Sequence, residues 1–131
     1  MRNVRVLFPL LAAFALLTPP ILGQQGEDVR AGALNVYLDC EGARMVCQTS
    51  HFRTEITFVN WVRDLADAQV HIIMTSQGTG SGDEFLFDFI GRGNLQGNDD
   101  HLSYSYSDTD SDDARTQGIT GVLAVGVARY A

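Results

Sequence analysis

QVHIIMTSQGTGSGDEFLFDFIG, residues 69–91, sets the architecture of this chain. Its first part, residues 69–77, places Val70, Ile72 and Met74 on one side and polar residues largely between them. That two-residue period is the signature of a β-strand. Its last part, residues 84–91, repeats the pattern with Phe85, Phe87 and Phe89 on one face. Leu86 and Ile90 on the opposite face predict partial cover there. Residues 78–83 (GTGSGD) join the two strands, and their three glycines supply the positive φ that a tight reversal needs. The segment therefore reads as a hairpin. The same glycines do not make a phosphate-binding loop, which requires a strand feeding a helix N-terminus.

Upstream, residues 34–39 (LNVYLD) alternate as a first strand, and residues 40–50 form a loop that carries both cysteines. Residues 51–64 (HFRTEITFVNWVRD) predict a helix, with Thr49 or Ser50 as its cap. Phe52, Ile56, Val59 and Val62 make its apolar stripe, which Phe58, Trp61 and Leu65 widen. The β-branched Ile56, Thr57, Val59 and Val62 lower its intrinsic helicity, so packing must hold it. Residues 65–68 are a short connection. Downstream, residues 92–100 are turn-rich, and residues 101–107 (HLSYSYS) alternate Leu102, Tyr104 and Tyr106 with serines as a fourth strand. The acidic linker 108–113 (DTDSDD) leads into a helix from about Asp112 to the end, capped by Asp110 or Ser111. Ile119, Val122, Leu123, Gly126, Val127 and Tyr130 form its stripe. Gly118, Gly121 and Gly126 weaken it, a cost that close approach to the sheet offsets. The order is β-α-β-β-β-α. The predicted fold is α+β: a small four-stranded mixed sheet with two helices packed on one face, the first or fourth strand being a free edge.

Residues 1–23 (MRNVRVLFPLLAAFALLTPPILG) read as a secretory signal peptide: Arg2 and Arg5, an apolar run, then helix-breaking Pro19 and Pro20 before a small residue. A retained anchor needs about 20 apolar residues, more than the uninterrupted run provides. No cysteine follows the run closely, which argues against lipidation. The expected organisation is signal peptide 1–23, flexible leader 24–33 and one domain over 34–131, with no membrane span after cleavage. The expected address is the periplasm or the outer membrane. The formal net charge is −7, and loss of Arg2 and Arg5 with the leader takes it to −9. An acidic surface without a basic, aromatic-interleaved patch argues against nucleic-acid binding.

Candidate chemistry is sparse. Cys40 and Cys47 form an even pair in an exported chain, which predicts a disulfide, with two free thiols as the alternative. With His51 they lack the tight pairs of a zinc site. Asp108, Asp110, Asp112 and Asp113 fail the EF-hand pattern, because Asp113 and Ile119 stand where Gly and Glu belong. They suit the positive end of the last helix better. No Ser or Cys sits in a nucleophile motif. The sequence thus predicts no catalytic, cofactor or metal residues. The strongest catalytic alternative combines His71, His101 and Asp88. The aromatic rows read as core under the helices rather than a ligand face.

The stretch AQVHIIMTSQGTGSGDEFLFDFIG resembles a recurrent exported pattern: a short helix ending in an acid and an alanine, a strand, a glycine turn and a second strand. It is similar to the N-terminal α/β domain of the Tol-Pal protein TolB and to periplasmic domains of the curli-secretion lipoprotein type. That resemblance implies two helices against a mixed sheet and work in envelope assembly through protein contacts. LDC…FRTEITFVNWVRDLADAQVHIIMTSQGTGSG, with DTDSDDARTQGI, also resembles exported proteins in which this region precedes a longer C-terminal part. Three functional readings follow: a non-enzymatic envelope module that binds a protein partner, a small periplasmic hydrolase or ligand-binding protein, and a truncated gene product. The last helix runs to Ala131 without a stop signal, which favours the leading domain of a longer protein.

Overall fold

The hairpin forms as its alternation requires. In the computed structural model, which describes residues 30–131, strands Val70–Gly78 and Gly82–Gly91 pair antiparallel from Val70 opposite Gly91 to Gly78 opposite Asp83. Gly80 turns the chain at φ +86°, and the Thr79 N–H donates to the Gly82 carbonyl at 2.9 Å. In chain order the elements are β1 (Asn35–Gly42), α1 (Thr49–Glu55), β2 (Asn60–Trp61), β3 (Val70–Gly78), β4 (Gly82–Gly91), β5 (Asp100–Ser107) and α2 (Asp112–Ala128). The sheet runs β2-β1-β3-β4-β5. β1 is parallel to β2 and β3, whereas β4 is antiparallel to β3 and β5. The class is α+β with a mixed sheet, as expected, but with five strands instead of four.

One face of the sheet is the core. Val70, Ile72 and Met74 of β3 meet Phe85, Phe87 and Phe89 of β4, all essentially inaccessible to solvent. Phe52 and Ile56 from α1 and Ile119, Leu123 and Val127 from α2 close the same cluster. Both helices cover this one face, and the Gln48 side chain ahead of α1 donates to the Thr116 hydroxyl of α2 at 3.0 Å. Two of the three glycines in α2 permit that approach. A Cβ on Gly118 would stand 2.1 Å from the Tyr104 ring, and one on Gly126 would stand 2.0 Å from the Phe89 ring. Gly121 meets nothing within 4 Å.

The predicted helix over 51–64 is cut short. α1 ends at Glu55, and Asn60–Trp61 becomes a strand beside β1. The β-branched run lowers helicity, and better partners exist for the backbone. Asn60 N–H donates to Leu34 O, Val62 N–H to Val36 O, and the Trp61 indole N–H to Ile56 O. The Asn60 side chain is buried and fully engaged. It accepts from Arg30 N–H and donates toward Arg30 O, Ala33 O and Asn35 Oδ1. Residues 30–33 of the predicted flexible leader are thereby tied into a turn. Residues 24–29 and the predicted signal peptide lie outside the described residues. Gln48, not Thr49 or Ser50, occupies the N-cap of α1, without a side-chain cap bond. The first strand is consequently internal, and among the described residues β5 is the long free edge. α2 starts at Asp112 with Ser111 as its cap, accepting from Ala114 N–H at 3.1 Å. It closes at Ala128 rather than running to Ala131.

Candidate functional surface

Among the described residues both helices lie on one side of the sheet, and no helix lies over the other. Strand parity assigns the residues of that open side: Tyr37 and Asp39 from β1, His71, Ile73 and Thr75 from β3, Leu86, Asp88 and Ile90 from β4, and His101 and Ser103 from β5. Register sets one row straight across four strands, Asp39–Ile73–Asp88–His101. A second row is Tyr37–His71–Ile90. Ile73, Leu86 and Ile90 are half-buried by their neighbours, so the face is an apolar strip framed by ionisable groups.

Those groups form two separate pairs. The Asp88 carboxylate lies 2.7 Å from His101 Nδ1, both side chains being about half exposed. The Asp39 carboxylate lies 3.8 Å from His71 Nε2. His71 is only 14% exposed, with the Tyr37 ring edge-on at 5.5 Å. Burial holds its pKa below the ordinary histidine value; Arg92 adds to that and Asp39 opposes it. His71 stands opposite Ile90, whereas Asp88 stands opposite Ile73. The structure thus brings together Asp88 and His101 but leaves His71 with a different carboxylate. The imidazole of His101 is oriented by Asp88, as a general base would be. No hydroxyl or thiol among the described residues is hydrogen-bonded to either histidine. The depression beside this pair, lined by Asp88, Ile90, Asp99, Asp100 and His101, is shallow and open.

The remaining sequence candidates fall elsewhere. Cys40 and Cys47 are joined as a disulfide, with Cα atoms 6.0 Å apart. His51 sits on α1, its ring edge-on to Phe52, and is not part of a metal cluster. Among the described residues no group of three His, Cys, Asp or Glu side chains is placed to hold a metal ion. Asp112 pairs with Arg115 at 2.9 Å, and Asp110 accepts from Ser107 N–H, so part of the acidic linker organises the start of α2. Also among the described residues, no helix is long and apolar enough to cross a membrane.

Sequence reading missed Tyr37, Asp39 and Arg92 as members of this face. Alternation in LNVYLD does put Tyr37 and Asp39 on one side. What it omits is that β1 pairs with β3, which sets them beside His71.

The other exposed feature is the β5 edge. At its start the Asp100 carboxylate takes the His101 N–H at 2.9 Å and binds Arg129 at 2.6 Å. Those two donors hold Asp100 below its ordinary pKa. At its end Asp110 takes the Ser107 N–H at 3.0 Å. No protein-family model, curated protein or solved structure matches the chain.

Proposed function

We propose that this chain is an exported, non-enzymatic α+β module that makes protein–protein contacts in the bacterial cell envelope. The observation that carries the reading is the one-sided sheet: among the described residues both helices pack on one face, and the other presents Ile73, Leu86 and Ile90 with no helix over them. Apolar side chains on an uncovered face gain from association with a partner. The Cys40–Cys47 bond suits an oxidising compartment. The leader read as a signal peptide and the TolB-like pattern of residues 68–91 support the envelope address.

A photo-crosslinking residue tests this reading at Leu86, on the uncovered face, against Gln117, on the outer side of α2. The chain is expressed in an envelope-bearing bacterium. Discrete protein adducts at Leu86, absent at Gln117 and confined to the periplasmic fraction, are the expected result. A chain that stays in the cytoplasm, or equal labelling at both positions, overturns the reading. The hydrolase reading rests on the oriented Asp88–His101 pair. It predicts that His101→Ala abolishes hydrolysis of acyl or phosphoryl test esters by the purified chain, whereas the binding reading predicts no such hydrolysis to abolish.

A further inference from the structure

The exposed edge of β5 has a defined window. In an antiparallel ladder, residues that exchange bonds with the partner alternate with residues whose N–H and C=O turn outward. His101 and Ser107 give their N–H groups to side chains, not to β4. The odd-numbered positions of β5 are therefore the outward ones. Asp100 and Asp110 close the two ends, and Ser103 and Ser105 between them present four backbone groups to solvent.

Beside that window runs one side of α2. Ala114 and Gly118 touch the Tyr104 side chain, and Arg129 bonds to Asp100 and to the Asp99 carbonyl. Helical spacing puts Gly121, Val122 and Val125 on this same side. Gly121 has open space above it, and Val125 is 68% exposed although nothing in the fold requires an apolar residue there. A strand added to β5 would place alternate side chains into this small-residue channel.

Charge decides the occupant. A second copy pairing antiparallel through Ser103 and Ser105 would put Asp100, whose charge Arg129 offsets, opposite Asp108 of the other copy. It would so bring the Asp108, Asp110 and Asp113 end of one copy against the Asp88, Asp99 and Asp100 end of the other, which the single Arg129 only partly offsets. Like charges directly opposite are destabilising, and the chain already carries −7. An extended segment with basic ends is instead attracted at both sides of the window: Asp108, Asp110 and Asp113 stand at one end, where Arg115 is already paired with Asp112, and Asp88, Asp99 and Asp100 outnumber Arg129 at the other.

We propose that the β5 edge and the Gly118–Gly121–Val125 side of α2 together bind an extended segment of another protein, β-branched or small at alternate positions and carrying arginine or lysine at its ends, which adds to the sheet as a sixth strand. The inference rests on the protein-binding reading above and names the kind of partner.

The probe is a synthetic peptide, RVTVTVR, titrated into the disulfide-bonded chain, with EVTVTVE as comparison. The expected result is slowed hydrogen exchange at the Ser103 and Ser105 amides and at least tenfold weaker binding of the glutamate-ended peptide. Ser105→Pro removes an outward N–H and leaves the β4 ladder intact. It is expected to weaken binding at least tenfold, and Val125→Arg, which alters no buried contact, to do the same. Equal binding of the two peptides, protection elsewhere, or wild-type binding by the Val125→Arg variant overturns the proposal. So does protection of Ser103 and Ser105 by self-association without peptide. If these tests fail while Leu86 still crosslinks in the envelope, the edge proposal falls and the binding-module reading stands.

Discussion

Gly126 and Asn60 carry more of this fold than their chemistry suggests, whereas Gly121 carries none of it. Gly126 and Gly121 occupy the same helix, yet their substitutions have opposite signs. A methyl group at Gly126 would overlap the Phe89 ring, which is held in the core. Gly126→Ala is expected to destabilise the chain by about 1–3 kcal/mol, the range for overpacking. Gly121→Ala meets no atom and gains helix propensity, and is expected to stabilise by up to about 1 kcal/mol. Urea midpoints of the two variants should therefore lie on either side of wild type; a shift in the same direction would show that α2 does not approach the sheet through Gly126. Asn60 is the third residue. Its side chain joins residues 30–33 to β1 and β2 by four hydrogen bonds. Asn60→Ala leaves backbone groups of that turn unpaired, at a cost of about 1–3 kcal/mol. The amides near Arg30 should then exchange faster than those of β3, and uniform acceleration would mean that Asn60 supports the whole sheet.

At the scale of elements, what alternation and helical period reveal depends on length. The β3–β4 hairpin and α2 were legible because each repeats its period several times and ends at a recognisable signal, Gly80 in one case and Ser111 in the other. The open face was legible in part, since the parity of His71, Asp88 and His101 follows from alternation alone. β2 was not, because two residues cannot express a period. Phe58 and Trp61 widened a stripe that read as helix, while the deciding interactions, from Asn60 to residues 30–35, are long-range. The break in α1 makes the Cys40–Cys47 bond more consequential. α1 is only seven residues long, too short to persist without tertiary support. The disulfide ties the strand end that precedes it to the segment that opens it. Replacing both cysteines by serine is expected to cost about 2–3 kcal/mol on the chain-entropy account of a short loop. The loss should appear in urea denaturation, together with faster exchange in α1. A double variant as stable as wild type would show that Phe52 and Ile56 alone fix this segment.

For the whole molecule, the one-sided sheet makes stability depend on pH through His71. Among the described residues no helix covers His71, yet burial beside Tyr37 and Ile90 disfavours the imidazolium; the Arg92 charge adds to that and Asp39 opposes it. Its folded pKa therefore lies below the unfolded value of about 6.5. Between those two values the unfolded chain takes a proton that the folded chain resists. Stability present above about pH 6.5 is then lost as pH falls through the folded pKa. Asp100 shifts in the same direction relative to its own reference, because Arg129 favours its carboxylate. Its effect belongs to a lower window, below the ordinary carboxylate value of about 4, and exposure to solvent keeps it small. The two windows separate the two groups. The urea midpoint of the wild-type chain should fall between pH 7.5 and pH 5.5, and His71→Asn should flatten that slope while leaving the separate, smaller loss below pH 4 in place. Arg129→Gln should do the reverse, easing only the acid limb. If His71→Asn retains the full slope between pH 7.5 and 5.5, the imidazole is open to water in solution. The uncovered face would then be more loosely packed around Ile73 and Ile90 than a surface built to receive a partner.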